Sequence, residues 1–326
     1  MGLFLNESAL IFFSTILSII MLYFGASLLI SGALSAASKL KISETVISIT
    51  LIAGATSLPE LFVLLKAIQH PNGSTMAYGT VLGSNLANLG LVLGLSILIK
   101  FKDKFSFNFL SFKNFIPISI ASTLIFCIYG LNISDNLWIK KILSIAMILA
   151  IFTYIFKSKE QKDDFYQDGS EKNITNKKIF SFVFIGGMLL AFGSGLLVDV
   201  GIKLQNMGIS SAIIGSIYFA LASSSPEIFT SLFAIFKYKK HNVVVGNVLG
   251  SNLANIFIFG LIALIFKTES IIISKHSPIL LLILETSLFS VFLLYYIYNK
   301  KHKIIQIHSI IGFLLFYVYY LFYKSL

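Results

Sequence analysis

Glu60 and Glu227 carry the chemistry in this chain. Each lies deep in an apolar run, AGATSLPELFVLL at 53–65 and ALASSSPEIFTSLF at 220–233. A carboxylate in such surroundings costs several kcal/mol unless something neutralises it. No Lys or His lies in the apolar middle of any run, so the simplest counter-charge is a bound cation. A protonated Glu bonded to backbone accounts for one such acid more readily than for two at matching places.

Each acid follows a proline. Pro59 and Pro226 lack an amide hydrogen, which frees the carbonyls of Ala55 and Ala222 from their helical partners. Thr56 and Ser57 precede Glu60 by four and three residues, so on a helix all three face one way. Ser223, Ser224 and Glu227 repeat the arrangement. Ser84 with Asn88, and Ser251 with Asn255, are further pairs spaced four apart. The set is carboxylates, hydroxyls, amide oxygens and loose carbonyls, with no imidazole or thiolate. Hard cations want such a set: Ca²⁺ takes about 6–8 oxygens, and Na⁺ accepts similar ligands. A soft transition metal would want His or Cys. Two carboxylates balance one divalent or two monovalent ions, and a site that cannot be left empty couples their exchange.

The elements that position these residues are membrane helices. Of 326 residues, 56% are hydrophobic and only 12% charged. That excludes a soluble enzyme and a disordered chain. One cysteine, Cys127, excludes an internal disulfide framework and a cysteine-based zinc site. Runs of about 20 apolar residues predict ten spans, at 9–30, 44–68, 76–99, 114–132, 136–156, 179–203, 209–236, 243–266, 278–299 and 304–323. The runs are long and solidly apolar, unlike the short alternating strands of a barrel. The first has no cleavage-site pattern and is expected to remain as a helix. All basic residues are Lys, and with the N-terminus outside, 18 of 25 fall on the inner side. The lysines therefore read as a topology signal rather than a nucleic-acid surface. They predict a multi-pass protein of the cytoplasmic (inner) membrane with both termini outside.

The chain repeats itself. VLGSNLAN occurs at 81–88 and again at 248–255, an offset of 167. At that offset Ser57, Pro59 and Glu60 fall on Ser224, Pro226 and Glu227, and Ser43 falls on Ser210. GASLLIS at 25–31 also resembles GSGLLVD at 193–199. Five spans per half is an odd number, so the second half enters the membrane inverted. The expected fold is an all-α integral membrane protein of about ten helices in two five-helix inverted-topology repeats: 1–156, a cytoplasmic linker at 157–178, and 179–326. Gly79, Gly83 and Ala87, with Gly246, Gly250 and Ala254, form small-residue stripes read as close helix packing. Asp199 suits either a gate or proton role, or an interfacial location or a bond to a neighbouring helix. Glu285, in a peripheral span, reads as structural.

GATSLPEL with GSNLANLGLVLG, and ASSSPEIFTS with GNVLGSNLANIFIFG, resemble the two α-repeats of the sodium/calcium exchanger family, in its prokaryotic form with a short linker. The resemblance implies that Glu60 and Glu227 ligate Ca²⁺ and Na⁺. It extends that role to the hydroxyls of Thr56, Ser57, Ser223 and Ser224, the carbonyls of Ala53 and Ala220, and Ser84, Asn88, Ser251 and Asn255. It implies alternating access, with the first and sixth spans sliding past a core that holds the site. Well-known members carry Asp at the position of Asn255. The amide here leaves H⁺ or K⁺ open as alternative counter-ions. No cofactor is expected, since Ca²⁺ and Na⁺ are cargo, and the implied partners are those ions and the lipid bilayer, with no nucleic acid and no obligatory protein. A channel or an intramembrane enzyme fits less well: the acids are occluded, and there is no HExxH motif or nucleophile elbow.

Overall fold

A computed structural model describes residues 2–68, 73–99, 105–131, 136–158, 175–207, 222, 224–266 and 276–297. Among them every regular element is helical. In chain order these are α1 (Gly2–Leu40), α2 (Glu44–Ile47), α3 (Ala53–Thr56), α4 (Leu58–Ala67), α5 (Gly73–Ala87), α6 (Leu93–Ile99), α7 (Phe115–Gly130), α8 (Leu137–Ser158), α9 (Asn176–Asn206), α10 (Ser225–Phe236), α11 (His241–Ile265) and α12 (His276–Ile297). Five described helices are long and apolar enough to cross a membrane, and a sixth span is the bent pair Glu44–Thr56 and Leu58–Leu65, kinked by 42°. The expected tenth span, 304–323, and the first part of the seventh lie outside the described residues. The fold is the expected all-α membrane architecture of two inverted repeats.

Burial separates two kinds of helix. The most apolar windows of α5–α6 and of α11 are 78% and 72% buried, against 22% for α1 and α8 and 28% for α9. The motif-bearing helices therefore form the centre. α1, α8 and α9 present Phe12, Phe13, Trp138, Phe156, Phe180 and Phe184 outward, as a surface solvated by lipid requires.

α1 and α9 pack on each other along much of their length. They run antiparallel through a seam of glycines that obeys the repeat. A Cβ on Gly25 would meet the Gly186 carbonyl and the Leu190 amide at 3.0 Å, and one on Gly193 would meet the Leu22 side chain at 3.0 Å and the Ser18 carbonyl at 3.2 Å. The Ser18 hydroxyl also donates to the Gly193 carbonyl at 2.7 Å.

Two spans contain a π-turn that periodicity does not reveal. Ser48–Ile52 separates α2 from α3, and Asn88–Val92 separates α5 from α6. Each widens the helix by one residue per turn and re-aims the side chains beyond it. In the second repeat the segment matching Asn88–Val92 is regular helix within α11. Gly90, the weakest helix former in the turn, stands there in the first repeat where Phe257 stands in the second.

The packing role expected of the second stripe holds for Gly246 and Gly250, which seat α11 against the π-turn at Ser48–Ile52. A Cβ on Gly250 would lie 2.5 Å from the Ile49 carbonyl oxygen, 2.6 Å from its Cα and 2.8 Å from the Ala53 Cβ. Two of those neighbours are backbone and cannot rotate away. Gly250→Ala is expected to destabilise the protein by about 1–3 kcal/mol, as overpacking does. Gly54→Ala, which meets nothing within 4 Å, should be neutral or slightly stabilising. Thermal unfolding in detergent, comparing the two variants, checks this.

Candidate cation site

The two broken helices are built alike. Ser57 closes α3 at φ −85°, ψ 8°, and Ser224 precedes α10 at φ −89°, ψ 8°. Both hold the sparsely populated bridge conformation just before the Pro-Glu step. After each break a new helix starts with its glutamate in the first turn, where the exposed amide dipoles favour a negative charge. The freed carbonyls are less available than the prolines suggest. The Ser225 hydroxyl donates to the Ala222 carbonyl at 2.7 Å, and the Ser57 amide donates to the Ala53 carbonyl at 3.0 Å. A short polar side chain next to a break caps it locally, so the Ala222 carbonyl carries a bond already.

Glu60 is 3% exposed and Glu227 is fully buried. The Ser84 hydroxyl donates to Glu60 Oε1 at 3.0 Å, while Glu60 Oε2 has no hydrogen-bond partner. Neither oxygen of Glu227 has one. Glu227 lies within electrostatic reach of Glu60, beside the hydroxyls of Thr56 and Ser251. Thr56 bridges the repeats. Its hydroxyl lies 3.1 Å from the Ala53 carbonyl, 3.3 Å from Asn247 Oδ1 and 3.1 Å from the Ser251 hydroxyl.

Behind the carboxylates stands a symmetric set of four asparagines. Asn85 Nδ2 donates to the Asn252 carbonyl at 3.2 Å, and Asn252 Nδ2 returns a bond to the Asn85 carbonyl at 3.1 Å. These residues are repeat equivalents, so the pseudo-twofold axis passes between them. Asn88 Nδ2 donates to Asn252 Oδ1 at 3.0 Å, and its equivalent Asn255 Nδ2 donates to Asn85 Oδ1, also at 3.0 Å. Asn255 Nδ2 also lies 3.2 Å from the Ser84 hydroxyl. Both amide nitrogens are thus engaged within the protein, leaving Asn88 Oδ1 and Asn255 Oδ1 buried without a partner. The hydroxyls of Ser57 and Ser224 are unpartnered as well.

Most of the residues singled out by the repeat therefore converge. Glu60, Ser84, Asn255 and Asn88 are joined through Asn85 and Asn252 in one network, Thr56 and Ser251 meet in a second, and Glu227 lies beside Thr56, Ser251 and Glu60. Ser57 and Ser224 flank it at the two breaks, and the Ala53 carbonyl accepts from the Thr56 hydroxyl and the Ser57 amide. Ala220 and Ser223 lie outside the described residues. The sequence pattern does not single out Asn85, Asn247 and Asn252. Asn247 Oδ1 lies 3.3 Å from the Thr56 hydroxyl, and Asn247 Nδ2 donates to Thr230 Oγ1 at 2.8 Å, tying α11 to α10. The signal for Asn85 and Asn252 was present in the repeat itself, since both belong to the duplicated VLGSNLAN; Asn247 lies just outside it, matched with Thr80. Asp199 is exposed on α9. Glu285 is buried on α12 and accepts a hydrogen bond from Ser119 of the adjacent α7, in keeping with a structural role.

The sequence profile of the sodium/calcium exchanger protein family matches residues 10–158 and 178–326, one match per half. The chain belongs to the sodium/calcium exchanger family. Its relatives include an uncharacterized membrane protein of Methanocaldococcus jannaschii, 28% identical over 74% of this chain and 77% of that one. Another is the sodium/calcium exchanger MaX1 of Methanosarcina acetivorans, 26% identical over 78% of this chain and 83% of its own length. Among solved structures, the sodium-calcium exchanger NCX_Mj soaked with 2.5 mM Na⁺ and 10 mM Sr²⁺ is 25% identical, with a TM-score of 0.72 over 98% of this chain and 99% of that one. Family membership and the inverted repeats agree: the two matched segments are the two halves that meet at the Asn85–Asn252 axis.

Proposed function

We propose that this exchanger-family protein is a secondary antiporter that moves Ca²⁺ against Na⁺ across the cytoplasmic membrane, with the ions held between Glu60 and Glu227. One observation carries the reading. Glu60 Oε2, both Glu227 oxygens, Asn88 Oδ1, Asn255 Oδ1 and the Ser57 and Ser224 hydroxyls are all buried and unpartnered, and no Lys or His pairs with either glutamate among the described residues. Buried acceptors without donors invite a cation, and their number and all-oxygen character suit Ca²⁺. The hydroxyls of Thr56, Ser84, Ser223 and Ser251 and the carbonyls of Ala53 and Ala220 complete the proposed ligand set.

The proposed cycle is alternating access. α1 and α9, glycine-seamed and largely lipid-exposed, slide past the buried α5–α6 and α11 core. They do so when cations neutralise the two carboxylates, because an unpaired charge carried into low dielectric opposes the shift. Both termini are placed outside, residues 157–178 form a cytoplasmic linker, and the sodium gradient sets the direction as Ca²⁺ efflux.

The test is Ca²⁺ uptake into proteoliposomes loaded with Na⁺, beside matched vesicles carrying only a pH gradient or only K⁺. Na⁺-driven uptake is the expected result. Uptake driven only by the proton or K⁺ gradient would overturn the Na⁺ assignment. The amide at Asn255 favours keeping that second reading in the design: two carboxylates accept two protons as readily as two sodium ions.

A further inference from the structure

We infer that α7 and α12 hold a second cation site, built on Glu285 and filled by one alkali cation, Na⁺ or K⁺. It is separate from Glu60 and Glu227, and it clamps α12 against α7.

The site stands on a charge that no described residue answers. Glu285 is 1% exposed and lies near the middle of α12. Its Oε1 accepts the hydrogen of the Ser119 hydroxyl, and its Oε2 is buried without a hydrogen-bond partner. The Thr123 hydroxyl lies beside the same carboxylate. Ser119 and Thr123 are four apart on α7, so both reach α12 from one helix face. Ser122, on the adjoining face, is fully buried and its hydroxyl is unpartnered too. α7, α5 and the turn at Phe109–Phe112 pack on α12, and none of them carries a Lys or His. The one basic residue of α12 is His276, about 14 Å away along the helix axis. A carboxylate at such depth is expensive unless it is paired, and neutral hydroxyls do not cancel its charge.

A cation meets this arrangement better than a proton does. Oε1 already receives a hydrogen from Ser119, and Oε2 faces no acceptor to which a carboxyl hydrogen could donate. A cation needs only lone pairs. It finds them on Oε2 and on the Ser119 and Thr123 hydroxyls. These are hard oxygens of the kind that alkali and alkaline-earth ions take. A single carboxylate matches a single positive charge, which selects the monovalent ion.

The repeat sets this site apart from transport. At the offset of 167, Ser119 and Thr123 fall on Thr286 and Ser290, but Glu285 falls on Ile118. The hydroxyls are duplicated and the acid is not. Glu60 and Glu227 are duplicated together with their neighbours, and no proposed ligand of that pair lies on α7 or α12. An acid present in one half alone, at the seam between two helices, is placed to join those helices.

The experiment is thermal unfolding of the full-length protein in detergent. The background carries Glu60→Gln and Glu227→Gln, which removes the carboxylates of the proposed transport site. NaCl, KCl and choline chloride are compared at equal ionic strength. NaCl or KCl is expected to raise the melting temperature by about 2–4 °C over choline chloride. Adding Glu285→Gln should abolish that rise, because the amide keeps the shape and loses the charge. Ser119→Ala with Thr123→Ala is the second variant, for the case in which Glu285→Gln does not fold. It keeps the charge, removes two ligand oxygens, and should raise the salt needed for half the rise about tenfold. Equal melting temperatures in all three salts would overturn the inference. So would a rise that Glu285→Gln leaves intact, or a half-point that the Ser119/Thr123 variant does not move. Stability that ignores the salts, and falls from about pH 6 to about pH 9 only while Glu285 is present, would put a proton in the site and overturn it likewise.

Discussion

Glu227→Gln is expected to lower Na⁺-driven Ca²⁺ flux at least about 100-fold while leaving the fold intact, and Glu60→Gln is expected to do the same. With one carboxylate removed, Ca²⁺ in the proposed site leaves an uncancelled positive charge. An uncompensated charge within a membrane span is worth about 2.5–3.5 kcal/mol, which is about two orders of magnitude in population. The two variants should differ from wild type in stability in a direction that loss of a structural residue would not produce. Without ions, Glu60 and Glu227 are buried within electrostatic reach of each other, and Glu227 accepts no hydrogen bond. Removing either charge relieves that repulsion, so the ion-free melting temperature should rise. The stabilisation by added Ca²⁺ should meanwhile disappear, because a ligand stabilises only the state it binds. Flux assays and thermal shifts with and without Ca²⁺ test both halves. Full flux in either variant would remove that glutamate from the site. A fall in ion-free melting temperature would make its role structural.

The parts of this site that were legible in the sequence are those that repeat. The duplicated VLGSNLAN and the matched Ser-x-Pro-Glu point to Glu60, Glu227 and their flanking oxygens before any coordinates are known. The structure shows why: the two copies meet at a pseudo-twofold axis, so each duplicated polar residue faces the other copy. What was not legible depends on facing across that axis. Spacing by four groups Ser84 with Asn88 on one helix face, and it passes over Asn85, which lies about 100° round the helix from Ser84. Its partner is Asn252 in the other half. The π-turn at Asn88–Val92 is hidden because apolar periodicity does not reveal a single wide turn, and Gly90 is its one local mark. Proline predicts the two helix breaks correctly. It overstates the freed carbonyls, because Ser225 lies close enough to cap Ala222.

Gly186→Leu is expected to reduce transport more than tenfold while sparing ion binding, a separation that distinguishes a moving part from a ligand. Gly186 lies on α9 where it presses against α1. A Cβ there would stand 2.6 Å from the Leu29 amide nitrogen, 2.9 Å from the Gly25 carbonyl oxygen and 3.0 Å from the Leu29 Cα. All three are backbone atoms, so only a separation of the helices relieves the clash, and a leucine side chain needs still more room. The proposed cation ligands sit on other helices, α3 to α5, α10 and α11. The ion-binding stabilisation should therefore survive with little change in affinity. The proposed slide of α1 and α9 over the core is what the separation would impair, since the seam glycines allow close backbone approach. Gly195→Ala is the matched control. It lies on the same helix, meets nothing within 4 Å, and should transport like wild type. Ca²⁺-induced thermal shift measured beside Ca²⁺ flux separates the outcomes. Equal loss of both in Gly186→Leu would mean that α1 and α9 shape the site itself, and unimpaired flux would mean that this seam does not move during the cycle.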